Sequence, residues 1–143
     1  MVGGQYIDVA GGAPPGPEGL RRLHELKTGK LIAASIECVL LLEGSLEPDR
    51  IESSGTFAGE LGVLFQIVDD ILDVIGSSET LGKRQGSDER LGKRTYVTEF
   101  GLDGARDLAR ESHRRARAAL AQAAPAGAEP LEQITDFIAN RTY

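Results

Sequence analysis

Three carboxylates stand within five residues in the stretch Gly62-Val63-Leu64-Phe65-Gln66-Ile67-Val68-Asp69-Asp70-Ile71-Leu72-Asp73-Val74. On a helix Gln66, Asp69 and Asp73 share a face, because residues three and four apart are neighbours. Asp70 lies beside them, about 100° round the axis. An unpaired buried carboxylate costs several kcal/mol. Gly76 offers a natural helix stop, which puts the acids near the negative end of the helix dipole, where anions are disfavoured. A carboxylate pair on a helix is commonly a solvated face. Here Leu64, Phe65, Ile67, Val68, Ile71, Leu72, Val74 and Ile75 surround the acids, and a solvated face would be more polar. Acids in such a setting call for a cation. A hard divalent metal with oxygen ligands, Mg²⁺, meets that need.

Two Gly-Lys-Arg tripeptides follow, at Gly82-Lys83-Arg84 and Gly92-Lys93-Arg94. The loop that carries them directly follows the acidic helix. Taken alone it would be a solvated charged loop. Beside three aspartates, in an acidic protein, it points to recognition of a polyanion such as diphosphate by metal and lysine together. Lys27 stands at the mouth of an apolar run and precedes Thr28 and Gly29. That position makes it a second anion-contact candidate.

The elements that must position these groups are all helical by pattern. Residues 1–9 start abruptly, without a cap, and a breaker-rich loop follows to Pro17. Pro17-Glu18 opens a helix with Leu20, Leu23 and Leu26 at helical spacing. Leu31 to Leu42 is apolar on most sides, which predicts a buried helix. Gly44 to Asp49 reads as a turn, and Ile51 to Ile75 as one long helix. Gly55, Gly59 and Gly62 inside it cost about 1 kcal/mol each relative to Ala, so a close neighbour is expected there. Tyr96 to Phe100 reads as a helical turn. Asp103 is expected to cap a helix to about Ala124 whose arginines and His113 face solvent. After a linker, Leu131 to Arg141 forms a last helix with Leu131, Ile134, Phe137 and Ile138 facing inward. No stretch shows the alternation of a strand, and the fold class is all-α.

Composition sets outer bounds. At 143 residues the chain is one domain or part of one, and 41% hydrophobic residues suffice for a core. A net charge of −6 argues against non-specific nucleic-acid binding. The single cysteine, Cys38, cannot make an internal disulfide. No apolar run approaches the roughly 20 residues of a membrane span, and the N-terminus lacks a signal-peptide pattern. The expectation is a soluble cytoplasmic protein.

Five motifs, in order and spacing, resemble one family: Gly3-Gly4-Gln5-Tyr6-Ile7-Asp8, Lys27-Thr28-Gly29, Gly62 to Asp73, Leu81 to Asp88, and Gly92-Lys93-Arg94-Thr95-Tyr96. The chain is similar to the C-terminal half of trans-isoprenyl diphosphate synthases, the farnesyl and geranylgeranyl type. The resemblance covers essentially residues 1–143 and implies the C-terminal part of an isoprenoid-synthase helical bundle around a deep cavity. It implies Mg²⁺, an allylic diphosphate and isopentenyl diphosphate as partners in chain elongation. By the same resemblance, Asp69 is a direct metal ligand, and Asp70 and Asp73 hold metal-bound waters. Lys27 and Lys83 contact the allylic diphosphate, and Lys93 is a further basic residue near that group. Thr28 and Gln66 face the start of the allylic chain and steady the developing cation, and Gln5 lines the same cavity. The role of Asp8 stays open.

The family's first aspartate-rich motif has no counterpart here. The chain alone is therefore expected to be inactive and to leave apolar faces open. Catalysis would fall to a homodimer of the full-length kind or to a complex with a complementary N-terminal chain. The alternative is a non-catalytic partner that binds another synthase chain.

Overall fold

The computed structural model describes residues 2–12, 14, 16–44, 47–75 and 94–141. Six α-helices order the chain: α1 (Val2–Ala10), α2 (Pro17–His24), α3 (Lys30–Glu43), α4 (Pro48–Ile75), α5 (Tyr96–Ala123) and α6 (Glu129–Asn140). A π turn over Glu25–Gly29 joins α2 to α3 without a break in the helical path. No strand occurs among the described residues, as the all-α reading requires. None of these helices is long and apolar enough to cross a membrane.

Helix α4 is the spine. Its Phe57, Leu61, Leu64, Val68 and Leu72 pack on Ala116, Ala119 and Leu120 of α5. Its Val63, Ile67 and Ile71 pack on Leu20 and Leu23 of α2, with Tyr96 and Ala105 of α5. Partners on two sides account for the apolar residues on both of those faces of α4. The small alanines of α5 let the two long helices approach closely.

The glycines of α4 face a second close approach. A Cβ on Gly62 would stand 2.7 Å from both the Cα and the N of Gly29, in the π turn. Gly29 in turn lies over Gly59. Backbone meets backbone here, so neither side can yield by turning a side chain. Gly62→Ala is therefore expected to destabilise the chain by about 2 kcal/mol, net of alanine's higher helix propensity. Thermal unfolding measures this, with a drop in Tm of about 6 °C expected. Gly55, where an added Cβ meets open space, is the control and should gain stability on the same change.

Helix α5 begins with a capping box. Thr95 Oγ1 accepts from the Thr98 N–H at 3.1 Å, and the Thr95 N–H donates to Thr98 Oγ1 at 2.9 Å. The helix bends at Gly101, whose φ of 71° is left-handed. The separate turn expected at Tyr96–Phe100 is thus the first part of one kinked helix. Asp103 lies past the kink and accepts from Arg106 at 3.1 Å.

Three expectations fail in the packing. Helix α3 is not buried: Leu41 is 64% and Leu42 88% exposed, and Leu40 is its only buried residue among those described. An all-round apolar pattern announces several partners, and within this chain the helix lies chiefly on α4 and the π turn. Helix α6 is rotated from the expected phase. Phe137 is 69% exposed, and Leu131 and Ile134 are exposed as well. Thr135 is fully buried instead, because its hydroxyl donates to the Leu131 carbonyl at 2.7 Å and leaves no unmet polar group. His113 is half-buried rather than exposed, with Nε2 2.7 Å from Asp136 Oδ1 on α6.

Candidate functional site

The site assembles where α1, the π turn and α4 meet. A π turn inserts one residue into a helix and often marks a functional position. Here it carries Lys27 and Thr28, both half-buried. Lys27 thus lies inside a continuous helical path, not at the opening of a new helix. A Cβ on Gly4 would fall 2.3 Å from the Lys27 backbone N, so α1 rests directly on the turn. That approach brings Asp8 to Lys27: Oδ2 accepts from Nζ at 2.7 Å. The lysine ammonium is held in place by a carboxylate from another helix. Gln5, one turn back on α1, is exposed.

On α4, Gly62, Gln66, Asp69 and Asp73 follow at helical spacing on one face. Gly62 fixes that face against the π turn, and Gln66 is the next step along it. Gln66 is half-buried, Asp73 is half-buried, and the Asp69 side chain is 56% exposed. Asp69 Oδ1 lies 3.7 Å from Arg141, which also stacks its guanidinium over the Phe65 ring.

Asp70 points elsewhere. It is buried, and its Oδ2 accepts the Tyr96 backbone N–H at 2.7 Å. A carboxylate on the first N–H groups of α5 satisfies an orphan donor and complements the helix dipole. Asp70 thereby ties the start of α5 to the acidic helix.

His24 ends α2 beneath these groups. Only 6% of it is exposed, and its ring stacks on Tyr96 with centroids 5.5 Å apart. Burial, with Lys27 adding to it, pushes its pKa down to about 4, and Asp8 and Gln66 oppose that shift only in part. Burial likewise pushes the Tyr96 phenol up.

Lys27 and Thr28 thus sit on the π turn, and Gln66, Asp69 and Asp73 share a face of α4 that Gly62 brings against that turn. Lys83, Lys93 and Gly76 lie outside the described residues. Two residues, Arg141 and His24, escaped the sequence reading of the site, and the role of Asp8 was left open there. Arg141 gave no signal. Asp8 had its motif position but no visible partner. His24 was legible in phase, since it extends the Leu20–Leu23 stripe.

Among the described residues no three acidic, histidine or cysteine groups converge as a metal cage. The donor set still fits magnesium, which is commonly held by one or two carboxylates together with substrate phosphates. Asp69 and Asp73 offer two carboxylates one turn apart on an accessible face.

The described residues form an all-α bundle with an acidic helix and an ion-paired lysine in a distorted turn against it. The sequence profile of the polyprenyl synthetase family matches residues 1–136, and the chain belongs to that family. It is 40% identical over 144 residues to the farnesyl diphosphate synthase of Escherichia coli (strain K12), covering 99% of this chain and 48% of that one. The geranyltransferase of Helicobacter pylori, complexed with magnesium and isoprenyl diphosphate, superposes with a TM-score of 0.74 at 31% identity. That match covers 97% of this chain and 45% of that one. The geranylgeranyl pyrophosphate synthetase of Pyrococcus horikoshii shares the fold, with a TM-score of 0.82 at 24% identity over 99% of this chain and 55% of that one. The chain spans about half the length of the relatives it matches.

Proposed function

We propose that residues 1–143 form the C-terminal, diphosphate-ionising half of a prenyl diphosphate synthase domain that joins isopentenyl diphosphate to an allylic diphosphate. The observation that carries this reading is the single α4 face on which Gln66, Asp69 and Asp73 continue from the turn holding Lys27 and Thr28.

Bound Mg²⁺ would supply charge to stabilise the departing diphosphate. Asp69 and Asp73 would hold it, directly and through water, and Asp70 lies next to them. Lys27, kept in place by Asp8, donates to a diphosphate oxygen. Lys83 and Lys93 are assigned further contacts to the same group. The allylic C–O bond breaks with its electron pair leaving on diphosphate. Thr28 and Gln66 present oxygens to the resulting cation, and Gln5 lines the same cavity. Preorganised dipoles of this kind act where charge develops. The isopentenyl double bond then supplies the electrons of the new C–C bond, and a proton is lost. Surrounding apolar side chains exclude the water that would quench the cation.

The sequence holds one aspartate-rich motif. Elongation is therefore proposed to require the other half of the bundle, in a complementary chain or as part of the same domain, in the cytoplasm or an equivalent aqueous compartment.

Titration calorimetry with Mg²⁺ and an allylic diphosphate tests the site. The chain should bind them together, and Asp69→Ala should weaken binding at least about tenfold, the worth of one charge-assisted contact. Unchanged affinity in that variant would remove Asp69 from the role. Elongation by the lone chain would refute the need for a second half.

A further inference from the structure

We propose that the cavity between the end of α4, the middle of α5 and the end of α6 binds an anionic amphiphile. A short aliphatic chain lies against α4, and a carboxylate or phosphate head meets the arginines at the mouth. The site is independent of the prenyl-transfer reading, because it opens on the other side of α4.

Val68, Ile71, Leu72 and Ile75 line the cavity from α4. At about 100° per residue, they lie roughly 140° round the axis from the face of Gln66, Asp69 and Asp73. The space is therefore no part of the acidic face. Its volume is about 310 Å³, at the small end of the range for ligand pockets. A water takes about 30 Å³ in the liquid, so there is room for about ten non-hydrogen atoms.

The wall has two chemistries. Ala109 of α5 and Ala139 of α6 extend the aliphatic floor laid by α4. The polar part is Arg106, Arg110 and His113 of α5, with Asn140 and Arg141 at the end of α6. None of the described residues that line the cavity is acidic. In a chain of net charge −6, three guanidiniums and no carboxylate around an apolar space invert the local sign. A cationic guest is repelled there. A bare anion leaves the aliphatic floor wet, and a neutral hydrocarbon gains nothing from the arginines. A tail joined to an anionic head uses both parts of the wall.

The arginines can respond to such a head. Arg106 reaches Asp103 at 3.1 Å, and Arg110 pairs with Asp107 in the same i,i+3 spacing. All four side chains are substantially exposed. Pairs of this kind contribute little, so either guanidinium can turn to a bound anion at small cost. Arg141 instead fixes one wall. Its side chain is largely buried, and its guanidinium is stacked 4.4 Å over the Phe65 ring.

Octanoate is a probe of the right size. Titrated without Mg²⁺ into the nitrogen-labelled 143-residue chain, it should shift amide signals around Leu72 and Ala109 and saturate with a Kd below about 1 mM. Octanol has the same tail without the charge and should bind about fivefold more weakly, the worth of two exposed charge contacts. Octanoate should weaken by the same factor on the double variant Arg106→Gln, Arg110→Gln, whose changes lie at the surface and leave the core intact. Ala109→Leu fills the floor and should abolish binding in a chain that circular dichroism shows to be folded. Hexyl phosphate exchanges the carboxylate for a phosphomonoester, and the tighter of the two probes identifies the head. Shifts that do not saturate, or that map to the exposed side of α3, would overturn the inference. So would octanol binding as tightly as octanoate, or an affinity unchanged in the double variant or in folded Ala109→Leu.

Discussion

The folded chain should lose about 3 kcal/mol of stability as the pH falls from about 6.5 to about 4, because of one side chain. In the unfolded chain the His24 ring takes its proton near 6.5. In the fold, burial lowers that value to about 4. Between the two, the unfolded state binds a proton that the folded state refuses, so stability rises with pH across the window. Above 6.5 the contribution is complete. Below about 4 both states are protonated and the loss is complete. The groups around the ring are Lys27 on the π turn, Asp8 on α1, Gln66 on α4 and Tyr96 on α5. Lys27 opposes the charged ring, while Asp8 and Gln66 favour it less strongly than burial disfavours it. Urea midpoints at half-unit pH steps measure the slope. His24→Phe should flatten it over the same window, since phenylalanine keeps the stack and cannot titrate. Identical slopes in the two proteins would assign the acid sensitivity to other groups.

Glu60→Ala should cost about 3 kcal/mol. Glu60 is buried in α4, and its Oε1 accepts from Arg21 on α2 at 2.6 Å. Its Oε2 accepts from the Ser112 hydroxyl on α5 at 2.8 Å, and Arg115 stands 3.8 Å away. One carboxylate therefore joins three helices. Removing a single partner from a buried charge pair strands the other and costs about 3–5 kcal/mol. The Arg21 side chain is 36% exposed and can recover some hydration, which places the estimate at the low end of that range. Denaturant unfolding of the single variants and of the pair with Arg21→Ala separates the terms. The pair should be less than additive, because the second removal takes away the charge that the first left unmatched. Full additivity would mean that the guanidinium and the carboxylate are energetically independent.

How much of this was legible without coordinates follows from the period of each pattern. The spacing of Gln66, Asp69 and Asp73 placed them on one face of α4, and nothing in the tertiary structure alters that relation. The close neighbour expected for the α4 glycines exists at Gly62, but not at Gly55 or Gly59, where an added Cβ would meet open space. Helical period fixes which residues share a face. It does not say which face meets which neighbour. That is why Phe137 was expected inward and stands out, and why Leu41 and Leu42 of α3 were expected to be buried and are not.

Asp70 shows the limit at a single residue. By sequence it is one of three neighbouring acids, set about 100° round the axis from the other two; in the fold it accepts from the Tyr96 N–H and ties α5 to the spine. The choice between those uses turned on 100° of helix rotation and on where α5 begins, and the second cannot be read from the local sequence. The Asp8–Lys27 pair is similar, since it joins α1 to the π turn through a contact set by Gly4.

Local sequence by itself determined that this chain is helical, that Asp69 and Asp73 share one side of α4 with Gln66, and which family it resembles. Those properties depend on residue type and on a repeat of 3.6. Tertiary structure alone decided that α2 and α3 run through a π turn, that His24 is buried against Tyr96, and that Glu60 binds three helices together. Each of those depends on the approach of segments distant in sequence, where glycine allows backbones to touch and burial sets the protonation of what lies between them.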